Sequence, residues 1–220
     1  MKLSELIPHT STWTGVPDTH VNTVARVLRP AGLISSQGRG PGGAVMTTSD
    51  KINLLLGTCG VEIANRAADY VKLWRKSFRY RPEPDPDFNF AFLQAENVED
   101  LLVNLITKDL NGGALSAWLK EADAALAKKL KRQSATNHAI AVDFCVDGFS
   151  LDLKVSRNVL SIETSLERTT SDTISVRFAA PPPPYHPLPP RMSDIYIESS
   201  QLIRRLNERN LIGWGACLAD

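Results

Sequence analysis

Apolar residues recur with helical spacing through the first part of the chain and with strand spacing through the last. Leu3, Leu6 and Ile7 give a short helical face, and Val21, Val24, Ala25 and Leu28 fall at i, i+3, i+4 and i+7 of a stronger one over 17–29. Pro17 suits a first helical turn, and Pro30 with Gly32 ends the helix. GLIS, the glycine cluster QGRGPGG at 37–43 and AVMT then predict two short strands joined by a flexible tip. Thr47, Thr48 or Ser49 is placed to cap a helix through INLLL. A helix over about 61–79 follows, with Ile63, Ala67, Tyr70, Val71 and Trp74 on one side and Arg66, Lys72, Arg75, Lys76 and Arg79 elsewhere; further helices are expected near 96–110 and 113–131.

From His138 the period changes to that of strands. AIAVDFCV, FSLDLKV, NVLSIET and TISVRF each suit a strand, with Asp147-Gly148 as a hairpin turn between the first two. The stretch PPPPYHPLPP at 181–190 interrupts them, and a short strand DIYIE leads into a helix through SQLIRRLNER. The chain therefore reads as α+β, with units at 1–57, 58–133 and 137–220. The polar KRQSATN segment before the last unit has linker composition.

The charge distribution sharpens this division. Over the 220 residues, 25 Lys and Arg stand against 24 Asp and Glu, so no global field favours nucleic acid or membrane. Residues 1–81 nevertheless carry eleven Lys and Arg against five acids, a net +6, whereas 82–110 carry one against seven. The balance hides a basic amino-terminal third. No run of about 18 apolar residues suits a bilayer, no signal peptide opens the chain, and the three separated cysteines Cys59, Cys145 and Cys217 suit a reducing compartment, so a cytoplasmic protein without membrane contact is expected.

The order helix, turn, helix, GLI, glycine-rich tip, AVMT, helix resembles a winged helix-turn-helix. The segment VNTVARVLRPAGLISSQGRGPGGAVMT resembles that superfamily's recognition helix plus wing. It is also similar to uncharacterised bacterial and prophage-type proteins with an LR-x-AGLI segment before a GRG wing. The resemblance covers about residues 1–57. It implies a fold with an amino-terminal winged helix-turn-helix, a helical middle region and a carboxy-terminal mixed or antiparallel sheet domain. It also implies a DNA-binding module whose second helix enters the major groove while the wing touches backbone or minor groove. The sequence departs from the usual layout in beginning almost at the helix before the turn, so a later helix, 49–57 or 61–79, is expected to complete the core.

The residues themselves suit this role. With Val21, Val24, Ala25 and Leu28 inward, the opposite face carries Thr19, His20, Asn22, Thr23, Arg26 and Arg29, donors and acceptors fitted to base edges and phosphates. The tip adds Gln37 and Arg39 among glycines that permit close backbone approach, and Arg39 suits a narrow minor groove. Other motifs fail on geometry. Gly38, Gly40 and Gly43 match G-x-G-x-x-G, but AVMT rather than a helix follows. On one strand, Asp143 and Cys145 share a face and His138 takes the other, so the three form no triad. Ser150 and Lys154 stand about 13 Å apart by strand rise, too far for a nucleophile and its base. His9, His20, His138 and His186 have no metal-ligand spacing. The expectation is a non-enzymatic, cofactor-free and metal-free bacterial or phage-type transcription regulator that binds double-stranded DNA. The alternative is an assembly or adaptor component in which the same module docks protein. A homo-oligomer, most simply a dimer, is expected because one small module buries only roughly 600–1,000 Å² on DNA.

Overall fold

A computed structural model of the chain describes residues 1–36, 44–80, 89–130, 138–145, 150–163, 166–179 and 203–219. Helix α1 (Leu3–Thr14) and helix α2 (Asp18–Leu28) are joined by the short turn at 15–17. Val21, Val24, Ala25 and Leu28, the four positions picked out by the helical period, are all buried. Helix α3 (Thr48–Cys59) is the centre of this layer, with every residue from Asp50 to Cys59 buried. Thr47 caps it: the Asp50 amide donates to Thr47 Oγ1 at 3.1 Å, and Asp50 Oδ2 accepts from the Thr47 amide at 2.9 Å. The approach of α3 to α2 depends on Gly57, where a Cβ would lie 2.7 Å from Val24 Cγ1.

The helix expected over 61–79 is shorter. A 3₁₀ turn at Ala64–Arg66 precedes helix α4 (Ala67–Arg75), and Phe78–Tyr80 form strand β1. Residues 78–80 take their backbone partners from a sheet edge, pairing with Ala179, Phe178 and Arg177. Ile63 consequently lies before the helix and is 55% exposed. Helix α5 (Val98–Val103) continues into a π-helical stretch at Asn104–Leu110, followed by helix α6 (Ala114–Leu130).

Strands β2 (His138–Cys145), β3 (Ser150–Glu163), β4 (Leu166–Ala179) and β5 (Ile203–Asn207) join β1 in the order β1-β4-β3-β2-β5. All pairings are antiparallel. The pattern of FSLDLKV and NVLSIET predicts two strands; they belong to the single strand β3, whose polar Arg157 and Asn158 sit in ladder register with Asp172 and Ser171. SQLIRRLNER, expected to be helical, instead supplies β5, with buried Leu206 between exposed Arg205 and Asn207, and then the start of helix α7 (Glu208–Gly215). Asn207 caps α7 through the Asn210 amide at 3.0 Å. The expected Asp147-Gly148 turn, the proline-rich run, DIYIE and the linker at 131–137 lie outside the described residues.

Period-two burial gives the sheet its apolar face: Ile140, Val142 and Phe144, Leu151, Leu153 and Val155, and Val176 and Phe178 are all buried. Trp74 of α4 meets Phe144 edge-on, with centroids 6.2 Å apart, and donates Nε1–H to Gly60 O at 3.0 Å. The carboxy-terminal elements reach back to the amino-terminal helices. Thr58 O accepts from Arg204, and Cys217 O accepts from the buried Lys51 ammonium. Asn210 Nδ2 donates to Trp13 O at 2.7 Å, and His9 Nε2 lies 3.0 Å from Trp214 O. One hydrophobic core runs from Leu3 to Cys217, crossing the divisions near 57 and 137. Among the described residues, no helix is long and apolar enough to cross a membrane.

Candidate nucleic-acid interface

The outward strip of α2 is built by subtraction. Burial of Val21, Val24, Ala25 and Leu28 against α1, α3 and α4 leaves Thr19, Asn22, Arg26 and Arg29 exposed along the opposite side. Their spacing, i, i+3, i+7 and i+10, keeps them on one face over nearly three turns. Thr23 is half-buried at the edge of the strip, and its Oγ1 donates to Thr19 O at 2.8 Å, which leaves only its lone pairs for a partner. Asp18 is the only acid in α2, and it is exposed at the amino-terminal end.

His20 belongs to a different environment. It stands between the polar and apolar faces, half-buried, with Nε2 enclosed and without a hydrogen-bond partner. Burial first, then the nearby Arg204 guanidinium, hold its pKa below the ordinary value and keep the ring neutral. The Nε2 edge of the ring is thus closed off from solvent, with Arg204, 184 positions further along the chain, close enough to act on its charge.

The loop after α2 is anchored by α3 rather than by a described two-stranded ladder. Ser35 donates from its amide and from Oγ to the two Asp50 carboxylate oxygens, at 3.0 and 2.8 Å, and Asn53 Nδ2 donates to Leu33 O at 2.7 Å. Ile34 is buried beneath these contacts. GLIS is thus a hydrogen-bonded bend, and on the AVMT side Val45 makes an isolated bridge to Lys2. The physical difference is that buried carboxylate and amide groups of α3, not a neighbouring strand, satisfy the GLIS backbone. Gln37 and Arg39 lie outside the described residues.

Two cations of the basic third are engaged internally. Lys51 is 2% exposed, and Arg75 is held by Glu99, Asn53 Oδ1 at 2.8 Å and Ser49 Oγ at 2.6 Å. Arg66 is exposed on the 3₁₀ turn that packs against α2, its guanidinium 5.5 Å from the Tyr70 ring centroid, and Lys72 and Lys76 are exposed on α4. Among the described residues, the outward positive charge beside α2 thus comes from Arg26 and Arg29, with Arg66 on the flank.

The residues weighed for chemistry have other engagements. His138 Nδ1 and Nε2 lie 2.9 and 2.8 Å from carboxylate oxygens of Asp123 and Glu208. Asp143 is held by a two-pronged pair with Arg205, at 2.7 and 2.8 Å. Burial pushes the Cys59 thiol up to about 12, which suppresses the thiolate a nucleophile requires. An apolar groove of about 410 Å³ lies between the π-helical stretch and the carboxy-terminal elements, lined by Ile106, Leu110, Ile212 and Leu218 with Thr107 and Asn111. Among the described residues, its lining contains no titratable side chain. Comparison with protein-family models, with curated proteins and with solved structures found no match.

Proposed function

We propose that the chain is a DNA-binding protein whose α2 reads duplex DNA from a winged helix-turn-helix setting, acting as a bacterial or phage-type transcription regulator. The observation that carries this reading is the exposed strip of Thr19, Asn22, Arg26 and Arg29 on a helix whose other side is locked into the core. An α-helix with its side chains is about 10–12 Å across and matches the roughly 12 Å major groove. Arg26 and Arg29 supply planar donors for guanine edges or phosphates, and Thr19 and Asn22 supply mixed donors and acceptors. Arg39, in the glycine-rich stretch, is the residue suited to backbone or minor groove, and Asp50 and Asn53 hold Ser35 and Leu33, the chain leading into that stretch, against α3. A dimer would place two such helices on successive half-sites about 34–36 Å apart.

A second reading, in which the same face docks a protein in an assembly or adaptor role, draws on Asp18. A carboxylate at the amino end of α2 faces the region where a recognition helix meets the duplex and opposes the phosphate field. Salt separates the two readings. Binding of labelled random-sequence duplex, followed by anisotropy, is expected to weaken steeply as salt rises, with a log-log slope of about −0.9 per phosphate neutralised. Absence of duplex binding at low salt rejects the DNA reading and leaves the docking role.

A further inference from the structure

Strand β4 pairs with β3 along its full length, from Leu166 opposite Glu163 to Ala179 opposite Ser150. Among the described residues, its other edge is covered only at Arg177, Phe178 and Ala179, by β1. From Leu166 to Val176, among the described residues, that edge has no strand beside it. On the far side of the hairpin, β2 covers β3 as far as Arg157, and beyond that point, among the described residues, β3 and β4 continue as a two-stranded ribbon. A two-stranded ribbon is marginal in water unless further strands or a packed layer support it.

Exposed edges are normally protected by proline, by charged side chains, lysine above all, or by a bulge. The stretch from Leu166 to Ala179 contains no Pro, Lys or Gly, and its charged residues Glu167, Arg168, Asp172 and Arg177 are of both signs, so it admits only a strand of matching charge pattern. The edge is therefore suited to receive a strand whose charges complement its own.

Its sequence also specifies which strand. Leu166-Glu167-Arg168-Thr169-Thr170-Ser171-Asp172-Thr173-Ile174 is self-complementary when laid antiparallel on itself about Thr170. In that register Arg168 stands opposite Asp172 of a second copy, and the same pairing recurs on the other side of the two-fold axis. Leu166 stands opposite Ile174, Thr169 opposite Ser171, and Thr170 opposite itself. Opposite charges, Thr-Thr and Thr-Ser pairs and apolar pairs are the favourable cross-strand combinations, and a two-fold axis requires this kind of self-matching.

We infer that the outer edge of β4 is a self-association surface, on which a second copy of this chain adds its own β4 antiparallel about Thr170 to make a continuous sheet across the dimer. The inference is independent of whether duplex DNA is the ligand, because it rests on the sheet edge and its charge pattern alone.

The test uses the full chain without DNA, with mass followed by sedimentation. The parent is expected to sediment as a dimer. R168D sets a second carboxylate against Asp172 on both sides of the axis, while in the chain's own hairpin position 168 faces the neutral Ser161. Its dimer dissociation constant is expected to rise by about tenfold or more, from two opposite-charge pairs lost and two like-charge pairs gained. T170K brings two lysines together at the axis and is expected to dissociate the dimer as well. An equimolar mixture of R168D with the double variant R157D/D172R, in which positions 157 and 172 keep opposite charges across the hairpin, restores opposite charges in both pairs between the chains and is expected to recover a dimer containing one chain of each. A parent that stays monomeric at the highest attainable concentration, or variants that dimerise as tightly as the parent, overturn the inference. Failure of the mixture to recover a dimer overturns the register about Thr170.

Discussion

The indole of Trp13 lies so close to the Cα of Gly213 that a Cβ at that position would sit 2.4 Å from two ring atoms. A residue near the start of the chain and one near its end are thereby packed at contact distance, α1 against α7. The neighbouring contacts of Asn210 with Trp13 O and of Trp214 Nε1 with Thr10 Oγ1 fix the same pair of helices.

Gly213→Ala tests this packing by the sign of its effect. In a helix free of tertiary contact, alanine is favoured over glycine by about 1 kcal/mol. Against Trp13 the added methyl must displace the ring or the helix, and such overpacking costs about 1–3 kcal/mol. Urea unfolding is expected to show a lower midpoint with an unchanged slope. A raised midpoint would mean that α7 does not bear on α1.

Short-range features of this fold are legible in the sequence because their causes are local. The apolar face of α2 follows from four residues within two turns, and the Thr47 cap follows from a hydroxyl three residues before Asp50. Alternation in β2 and β3 likewise reflects a buried face with a period of two. Sequence reading fails where a distant partner decides. Lys51 reads as surface charge until Cys217 O, 166 residues away, accepts a hydrogen bond from its ammonium. His20 reads as part of a polar face, but packing encloses its Nε2, and Arg204, distant in sequence, adds to the burial that lowers its pKa. Leu202, Ile203 and Leu206 are compatible with a helix, but 203–207 adds to the edge of β2, with Arg205 beside Asp143. Exposure of Thr19, Asn22, Arg26 and Arg29 is legible in the sequence because it depends chiefly on the helix's own periodicity.

His138 gives a dependence on pH with a definite sign. Neutral imidazole carries one N–H, so both ring nitrogens can donate, to Asp123 and to Glu208, only when the ring is charged. Burial works against that charge and is the largest single influence, but hydrogen bonding and the negative charge of Glu208 and Asp123 together outweigh it and raise the pKa from 6.5. Arg157 is the cross-strand partner of His138 in the ladder.

Because the folded pKa is raised, the stabilisation is fully present below the unfolded value of 6.5 and is lost as pH rises through the folded value. His138→Gln is expected to reduce stability below pH 6.5 and to converge with the parent at higher pH. Unfolding free energies of parent and variant across that window check this. A difference between them that does not change with pH would remove the charged ring from the account.

On DNA, Arg26, Arg39 and His20 are expected to give three separable results. Arg26 is exposed in the middle of the α2 strip, where a guanidinium reaches a guanine edge. Arg26→Ala is expected to cost about 1–3 kcal/mol on the preferred site and to relax preference at particular base pairs. Arg39→Ala, in the glycine-rich tip, is expected to weaken binding on all sequences and to flatten the salt dependence by about one phosphate's worth if it holds backbone, or to act chiefly on A·T-rich flanks if it reads groove width. His20→Gln is expected to leave base preference unchanged, since Nε2 is enclosed on the inner side of the helix. Selection of bound sequences from a random pool, run with parent and variants at one fixed salt concentration, measures all three. If Arg26→Ala retains the parent's preference while His20→Gln alters it, α2 meets the duplex through a different face from the strip of Thr19, Asn22, Arg26 and Arg29.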